Sequence, residues 1–272
     1  MNKSNYICNE NFFKHLSFFT VKIKINPEYE HLRSSILDVV AGNYVADKVF
    51  CHRRNIVEKI TMKGKEYVVK TYKRPNLCNR IAYTYLRKSK ARRAYEYALR
   101  LLDNGVATPL PVAYVEVKRG GLFSTGYFFA EYIPDALMSD AFNGTVQDGE
   151  KAKLSKDFID FTFSLHAKGI LPLDFNSSNI FYRYDKESDH YKFALTDINR
   201  MKFGKVPSTS AVMHSFEQFG VQVDGLYKLA VYYCVQTKAD LEYSIFIFLF
   251  HRIKSRIKRT MKRKAKRGMK EK

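Results

Sequence analysis

The sequence predicts an α+β fold in two lobes, the first an antiparallel sheet with one helix and the second mainly helical. Three observations carry this. The first third holds short runs rich in Val, Ile and Tyr; one helical period follows at residues 88–102; and after residue 150 helical segments dominate around one small hairpin. A boundary at 132–135, marked by Pro134, gives an N-lobe over 1–132 with about 1–40 as an N-terminal extension, a C-lobe over 133–250 and a basic tail over 251–272.

The elements follow in order. "VADKVF", "NIVEKITM" and "KEYVVKTY" read as strands, the last two joined by a turn at Lys63 and Gly64. "KSKARRAYEYALRLL" spaces Ala91, Ala94, Tyr95, Ala98, Leu101 and Leu102 by threes and fours, with Ser89 as N-cap and Asn104-Gly105 as the stop. "TPLPVAYVEVKRGGLFSTGYFFAEYI" returns to strand character around Gly120 and Gly121, and Pro134 ends it. Residues 135–150 read as a loop leading into the helix "KLSKDFIDFTFSLHAKG", closed by Gly169. "NIFYRY" and "HYKFALTDI" flank the polar turn "DKESD" as a hairpin, and residues 215–251 are again helical.

Composition narrows the partners. A chain of 272 residues with 46% apolar and 27% charged residues is globular and can bury a large core. Its net charge of +20 calls for an anionic partner: nucleic acid, a membrane surface or a phosphorylated substrate. Residues 252–272 hold twelve Lys or Arg against Glu271 alone, and residues 73–93 hold eight with no acid, so the charge sits in two separate clusters. The four cysteines, Cys8, Cys51, Cys78 and Cys234, show neither zinc nor disulfide spacing, which favours a reducing compartment. The N-terminus lacks the apolar run of a signal peptide, and "YSIFIFLF" is far shorter than the ~20 residues of a spanning helix. A cytoplasmic chain is expected.

The chemistry gathers at a few polar positions set in apolar surroundings. Lys70 interrupts the strand "EYVVKTY", where a charge needs a partner, and Glu96 lies on the following helix between apolar neighbours. "GILPLDFNSSNIFY" delivers Asp174 and, five residues on, Asn179; Asp197 ends the second hairpin strand. Taken singly, these are an edge-strand lysine, a solvated glutamate, turn chemistry and a cap. In this order, with a strand lysine paired to a helix glutamate, then D-x4-N, a hairpin and another aspartate, they are the parts of a protein-kinase-like fold. Lys70, held by Glu96, would present a fixed positive charge to the α- and β-phosphates of ATP, Asn179 and Asp197 would supply hard oxygens to Mg²⁺, and Asp174 would take the proton of an attacking hydroxyl. By analogy with kinase hinges, "FFAEYI" would offer the Glu131 carbonyl and the Ile133 amide to adenine. His166, on a helix with Phe158, Phe161 and Leu165, reads as a core histidine rather than a catalytic one.

"NRIAYTYLRKSKARRAYEYALRLLDNGVATPLPVAY", "GILPLDFNSSNIFY" and "LTDINRMKF" together resemble the lipopolysaccharide core kinases, the Kdo/heptose kinase family, in the forms found in Bacteroides-like bacteria. The resemblance spans about residues 40–245. It implies a bilobal kinase-like fold that uses ATP and Mg²⁺ to phosphorylate a Kdo or heptose hydroxyl on lipid A-core at the inner leaflet. The pattern is broken in three places: Pro172 stands where kinases carry a histidine two residues before the loop aspartate, Asp197-Ile198-Asn199 lacks the usual glycine, and no G-x-G-x-x-G precedes Lys70, "AGNYVADKVF" filling that place. A eukaryotic-type protein kinase is therefore disfavoured, and a pseudokinase stays open.

Within the first basic cluster Arg87, Lys88 and Lys90, with Arg200 beside Asp197, are candidate contacts for the acceptor's anionic groups. In the tail, Ile245, Phe246, Leu249, Phe250, Ile253 and Ile257 can share one face among basic residues, the pattern of an interfacial helix on anionic lipid. With a lipid-linked substrate this favours a peripheral protein on the inner face of the inner membrane, with no specific nucleic acid as partner. Two rival readings remain: a kinase-like phosphotransferase for a protein or small molecule, and a non-catalytic nucleic-acid-binding protein that relies on the tail.

Overall fold

The structure, a computed structural model, describes residues 19–52, 55–141, 148–219 and 223–268. The chain divides into two compact units, one of residues 1–99 and 109–133, the other of residues 100–108 and 134–272.

The first unit is built on six antiparallel strands: β1 (Phe19–Ile25), β2 (Lys48–His52), β3 (Asn55–Met62), β4 (Lys65–Tyr72), β5 (Pro111–Arg119) and β6 (Leu122–Glu131), in the order β1-β5-β6-β4-β3-β2. Both expected turns form, at Lys63 and Gly64 and at Gly120 and Gly121, all four with positive φ. Strand periodicity sorts β4 into two sets. Tyr67 and Val69 enter a core with Tyr29, Leu32 and Ile36, while Tyr72, two residues from Lys70, joins Ala91, Tyr95 and Tyr114 in a second core.

The first of these cores corrects the expectation of an N-terminal extension. Residues 19–41 are part of the sheet unit: β1 pairs with β5 from Phe19↔Arg119 to Ile25↔Ala113, and the 3₁₀ turn Pro27–Leu32 and helix α1 (Arg33–Ala41) bury Tyr29, Leu32, Ile36 and Val39. Residues 1–18 lie outside the described part. The unit also holds a short helix α2 (Leu77–Ile81) and a π turn (Ala82–Leu86) beyond the single helix expected. The expected helix is α3 (Lys90–Asp103), with the Ser89 hydroxyl accepting from the Arg92 amide at 3.1 Å as its cap. Gly126 lets α3 approach β6, for a Cβ there would stand 3.1 Å from that of Ala91.

The second unit contains helix α4 (Asp148–Ala167), strands β7 (Ala136–Leu137), β8 (Ile170–Pro172), β9 (Ile180–Asp185), β10 (His190–Leu195) and β11 (Met201–Phe203), and helices α5 (Thr209–Glu217), α6 (Val223–Thr237) and α7 (Leu241–Gly268). Its core centres on Phe158 of α4, which packs on Phe175, Phe193 and Phe219 with ring centroids 5.7, 5.5 and 4.9 Å away. Each such aromatic pair contributes about 1 kcal/mol beyond its buried area. His166 is buried, its Nδ1 2.9 Å from the Tyr233 hydroxyl, as befits a core histidine. The boundary drawn at residue 250 does not separate a tail, because α7 runs through it as one helix.

Candidate active site

Two ladders create the loops on which Asp174, Asn179 and Asp197 sit. β8 pairs with β11, placing Pro172 opposite Met201, and β9 pairs with β10, placing Ile180 opposite Leu195. The segments 173–179 and 196–200 are thus held at both ends, one ladder before and one after. Further bonds stitch them together: the Leu173 amide donates to the Arg200 carbonyl at 2.9 Å and the Thr196 amide to the Asn179 carbonyl at 2.8 Å. Asp174, Asn179, Asp197 and Arg200 consequently line one pocket, with Phe175 and Ile198 among its walls.

Phe175 is buried in the Phe158 cluster, so the residue next to Asp174 is an anchor while Asp174 itself is half exposed. Burying a phenyl ring stabilises by about 2–3 kcal/mol, enough to hold a short loop in one conformation. Asn176 caps the 3₁₀ turn Ser177–Asn179 by accepting from the Ser178 amide at 3.1 Å. The Asn179 side-chain nitrogen donates to the Asp174 carbonyl at 3.0 Å. That bond commits the amide nitrogen and leaves the side-chain oxygen as the atom offered to a cation.

Asp197 sits at φ 49°, in the left-handed region that aspartate tolerates better than most residues. Asn199, which is buried, donates from Nδ2 to Asp197 Oδ1 and so orients the carboxylate. The sequence marks Asn199 only as the residue standing in place of a glycine; its contact with Asp197 is not legible there. Arg200 Nη1 lies 3.8 Å from Asp174 Oδ2, both side chains facing water in part. Among the described residues no three His, Cys, Asp or Glu side chains form a metal-binding group. One carboxylate and one amide oxygen nonetheless suit Mg²⁺, which keeps several waters and takes its remaining ligands from phosphates.

The sheet unit holds the other expected residues. Lys70 lies opposite Phe128 on β6 and Val57 on β3, and its ammonium stands 5.6 Å from the Tyr72 ring centre, with Lys90 at 5.9 Å from the same ring. Glu96 accepts from Lys88 at 2.7 Å on one oxygen and from Arg92 at 2.8 Å on the other. Burial pushes its carboxyl up, but these two donors outweigh burial and hold it below the usual carboxylate range. The Arg92 contact is an i,i+4 pair that spacing alone could have revealed. Lys88, expected at the acceptor, is thus engaged on α3, while Arg87 stacks on Tyr83 at 4.5 Å and donates to the Asn79 side chain. Arg80, in the same basic run, is buried and donates to the Phe123 and Arg119 carbonyls. Of the hinge pair, Glu131 receives the Tyr29 hydroxyl at 2.8 Å and donates its amide to the Leu110 carbonyl at 2.9 Å; Ile133 ends the unit.

No family model and no curated protein matches the sequence. Among solved structures, 816 chains match, so shape selects a widely used fold and not a substrate. One is "WaaP in complex with acyl carrier protein", 15% identical, with a TM-score of 0.57 over 86% of this chain and 98% of that one. The chain has a kinase-like fold, the one that WaaP has.

Proposed function

We propose that the chain is an ATP- and Mg²⁺-dependent kinase that phosphorylates a sugar hydroxyl, of Kdo or heptose, on the lipid A-core of lipopolysaccharide. One observation carries the reading: Asp174, Asn179 and Asp197 line a single pocket on loops clamped by two ladders in a kinase-like fold. The resemblance of the loop and strand motifs to the lipopolysaccharide core kinases supports the choice of acceptor.

Asp174 accepts the proton of the attacking sugar hydroxyl, and Arg200, 3.8 Å away, meets an anionic group of the acceptor. Asn179 and Asp197 would hold Mg²⁺, with Asn199 orienting Asp197. The ion would supply positive charge to offset that of the nucleotide phosphates. Lys70 supplies the fixed cation for the α- and β-phosphates, and Glu96 sets the charge balance on the helix that covers that face of the sheet. The Glu131 carbonyl and Ile133 amide receive adenine; of the basic run Lys90 adds positive charge for the acceptor, Lys88 being held by Glu96 and Arg87 by Tyr83 and Asn79. A lipid-linked acceptor places the reaction at the inner face of the inner membrane.

Transfer of γ-phosphate from ATP to purified lipid A-core tests this. Asp174→Asn and Asp197→Asn each lose at least about 10³-fold in turnover with unchanged thermal unfolding, asparagine being at home in the left-handed backbone of residue 197. Full activity in Asp197→Asn overturns the mechanism. An unchanged lipid A-core phosphate count by mass spectrometry in a deletion strain overturns the acceptor and leaves a phosphotransferase for a protein or small molecule.

A further inference from the structure

Helix α7 has two faces of unlike chemistry. Phe248 and Ser244 are fully buried, and the face they mark is fastened to α5: the His251 ring lies 4.6 Å from that of His214, Ser210 Oγ is 3.2 Å from His251 Nε2, and the nearly buried Glu217 accepts from Ser255 at 3.0 Å and Arg259 at 3.2 Å. On the opposite side Phe246, Leu249, Phe250, Ile253, Ile257 and Met261 are exposed, Phe246 at 64% and Met261 at 66%. Steps of three and four residues make these a continuous stripe about 23 Å long. Ile245, expected on this face, is half-buried and does not belong to it.

The flanks are basic on both sides. Arg252, Arg256, Arg259 and Arg263 form a file along one edge and line a common surface groove. Lys254 and Lys258, both exposed, stand on the other edge. We propose that α7 is a preformed interfacial helix that lays this stripe on an anionic lipid surface, with Arg252, Arg256 and Arg263 on headgroup phosphates while Arg259 holds Glu217.

Three features favour lipid over other occupants. A second copy facing stripe to stripe would bring two arginine files together without an acid between them. Nucleic acid would use the arginines but leave a row of Phe, Leu and Ile in water. Basic residues recur at every turn after Arg252, and among the described residues no helix is long and apolar enough to cross a membrane, so the helix lies on the surface. Because contacts with α5 already hold α7, docking needs no new helix, unlike a basic tail that folds on contact.

Flotation of the full chain with vesicles of 30% phosphatidylglycerol in phosphatidylcholine, against pure phosphatidylcholine, tests the proposal without nucleotide. Its outcome is therefore separate from that of phosphotransfer. The chain floats with the anionic vesicles, and far-UV ellipticity does not deepen on binding. Arg256→Ser with Arg263→Ser lowers the partition about thirtyfold and flattens its salt dependence. Ile253→Asp with Ile257→Asp lowers it at least about tenfold while the thermal midpoint holds, since both side chains are exposed. Undiminished binding by the isoleucine variant overturns the proposal. So does retention on an acidic acyl carrier protein or on duplex DNA while the vesicles float free, or a dimer that the isoleucine variant abolishes.

Discussion

Lowering the pH should destabilise the second unit through His166. The imidazole is 1% exposed, its Nδ1 meets the Tyr233 hydroxyl, and its Nε2 has no hydrogen-bond partner among the described residues. A protonated ring would carry an N–H donor on both nitrogens, one of them buried without an acceptor. Burial accordingly lowers its pKa from 6.5 to about 4. The folded value lies below the unfolded one, so the unfolded chain takes the proton first: stability is complete above 6.5 and is lost as pH falls from 6.5 towards 4. The full loss is about 3 kcal/mol, of which about 2 has gone by pH 5. Urea unfolding followed by far-UV ellipticity at pH 7.5 and pH 5.0, for the native chain and His166→Gln, isolates this group from the others that titrate. The native chain should lose about 2 kcal/mol more than the variant between the two pH values. Equal losses would refute the buried neutral histidine. Phosphotransfer at pH 7.5 should persist in the variant; its abolition would give the ring a part in chemistry.

Two other perturbations test how the loops are held. Asn199→Ala removes the donor to Asp197 Oδ1 and should raise the Mg²⁺ concentration for half-maximal activity about tenfold or more, with little change in the apparent affinity for acceptor; a proportional loss at all Mg²⁺ concentrations would count against an orienting role. Gly169→Ala places a Cβ 2.0 Å from the Gly204 carbonyl oxygen at φ 67°, against the bond that the Gly204 amide donates to Gly169 at 3.0 Å. The β8–β11 ladder must then separate, at a cost of about 3 kcal/mol or more, seen as a lowered thermal midpoint together with lost activity.

The strands and helices that sequence patterning predicts are those whose signal is local. β3 and β4 flank a two-residue turn, α3 carries its own cap, and β9 and β10 enclose a polar turn. β1 also alternates, with Val21, Ile23 and Ile25 set between Lys22 and Lys24, yet its partner β5 begins at Pro111, so no local feature tells that it belongs to the sheet. The polar residues of the candidate site were readable because Asp174, Asn179 and Asp197 interrupt apolar runs. Their supports were not. Asn199 acts through a contact two residues back around a left-handed backbone, and Glu96 is held by Lys88, eight residues away across the start of α3. Spacing reveals a pair within one helix, as for Arg92 and Glu96; it does not say which carboxylate a cation outside the helix, such as Lys88, will meet.

Helix α7 marks the same limit more sharply, because hydropathy sorts its faces the wrong way. In "YSIFIFLF" the serine, Ser244, is fully buried and bonded to the Asp240 carbonyl, while Phe246, Leu249 and Phe250 are exposed. A helix apolar on every side is ordinarily enclosed by its own core, but only Phe248 and its neighbours on one face find such an enclosure in the second unit. Isolated exposed apolar side chains need no explanation; six in register along about four turns, bordered on both edges by cations, do. Water would favour replacing them with polar residues at no cost to packing, since the opposite face alone holds the helix in place. Such a stripe is intelligible if the medium it faces in use is not water, and the cations on both its edges suit the anionic lipid surface proposed above.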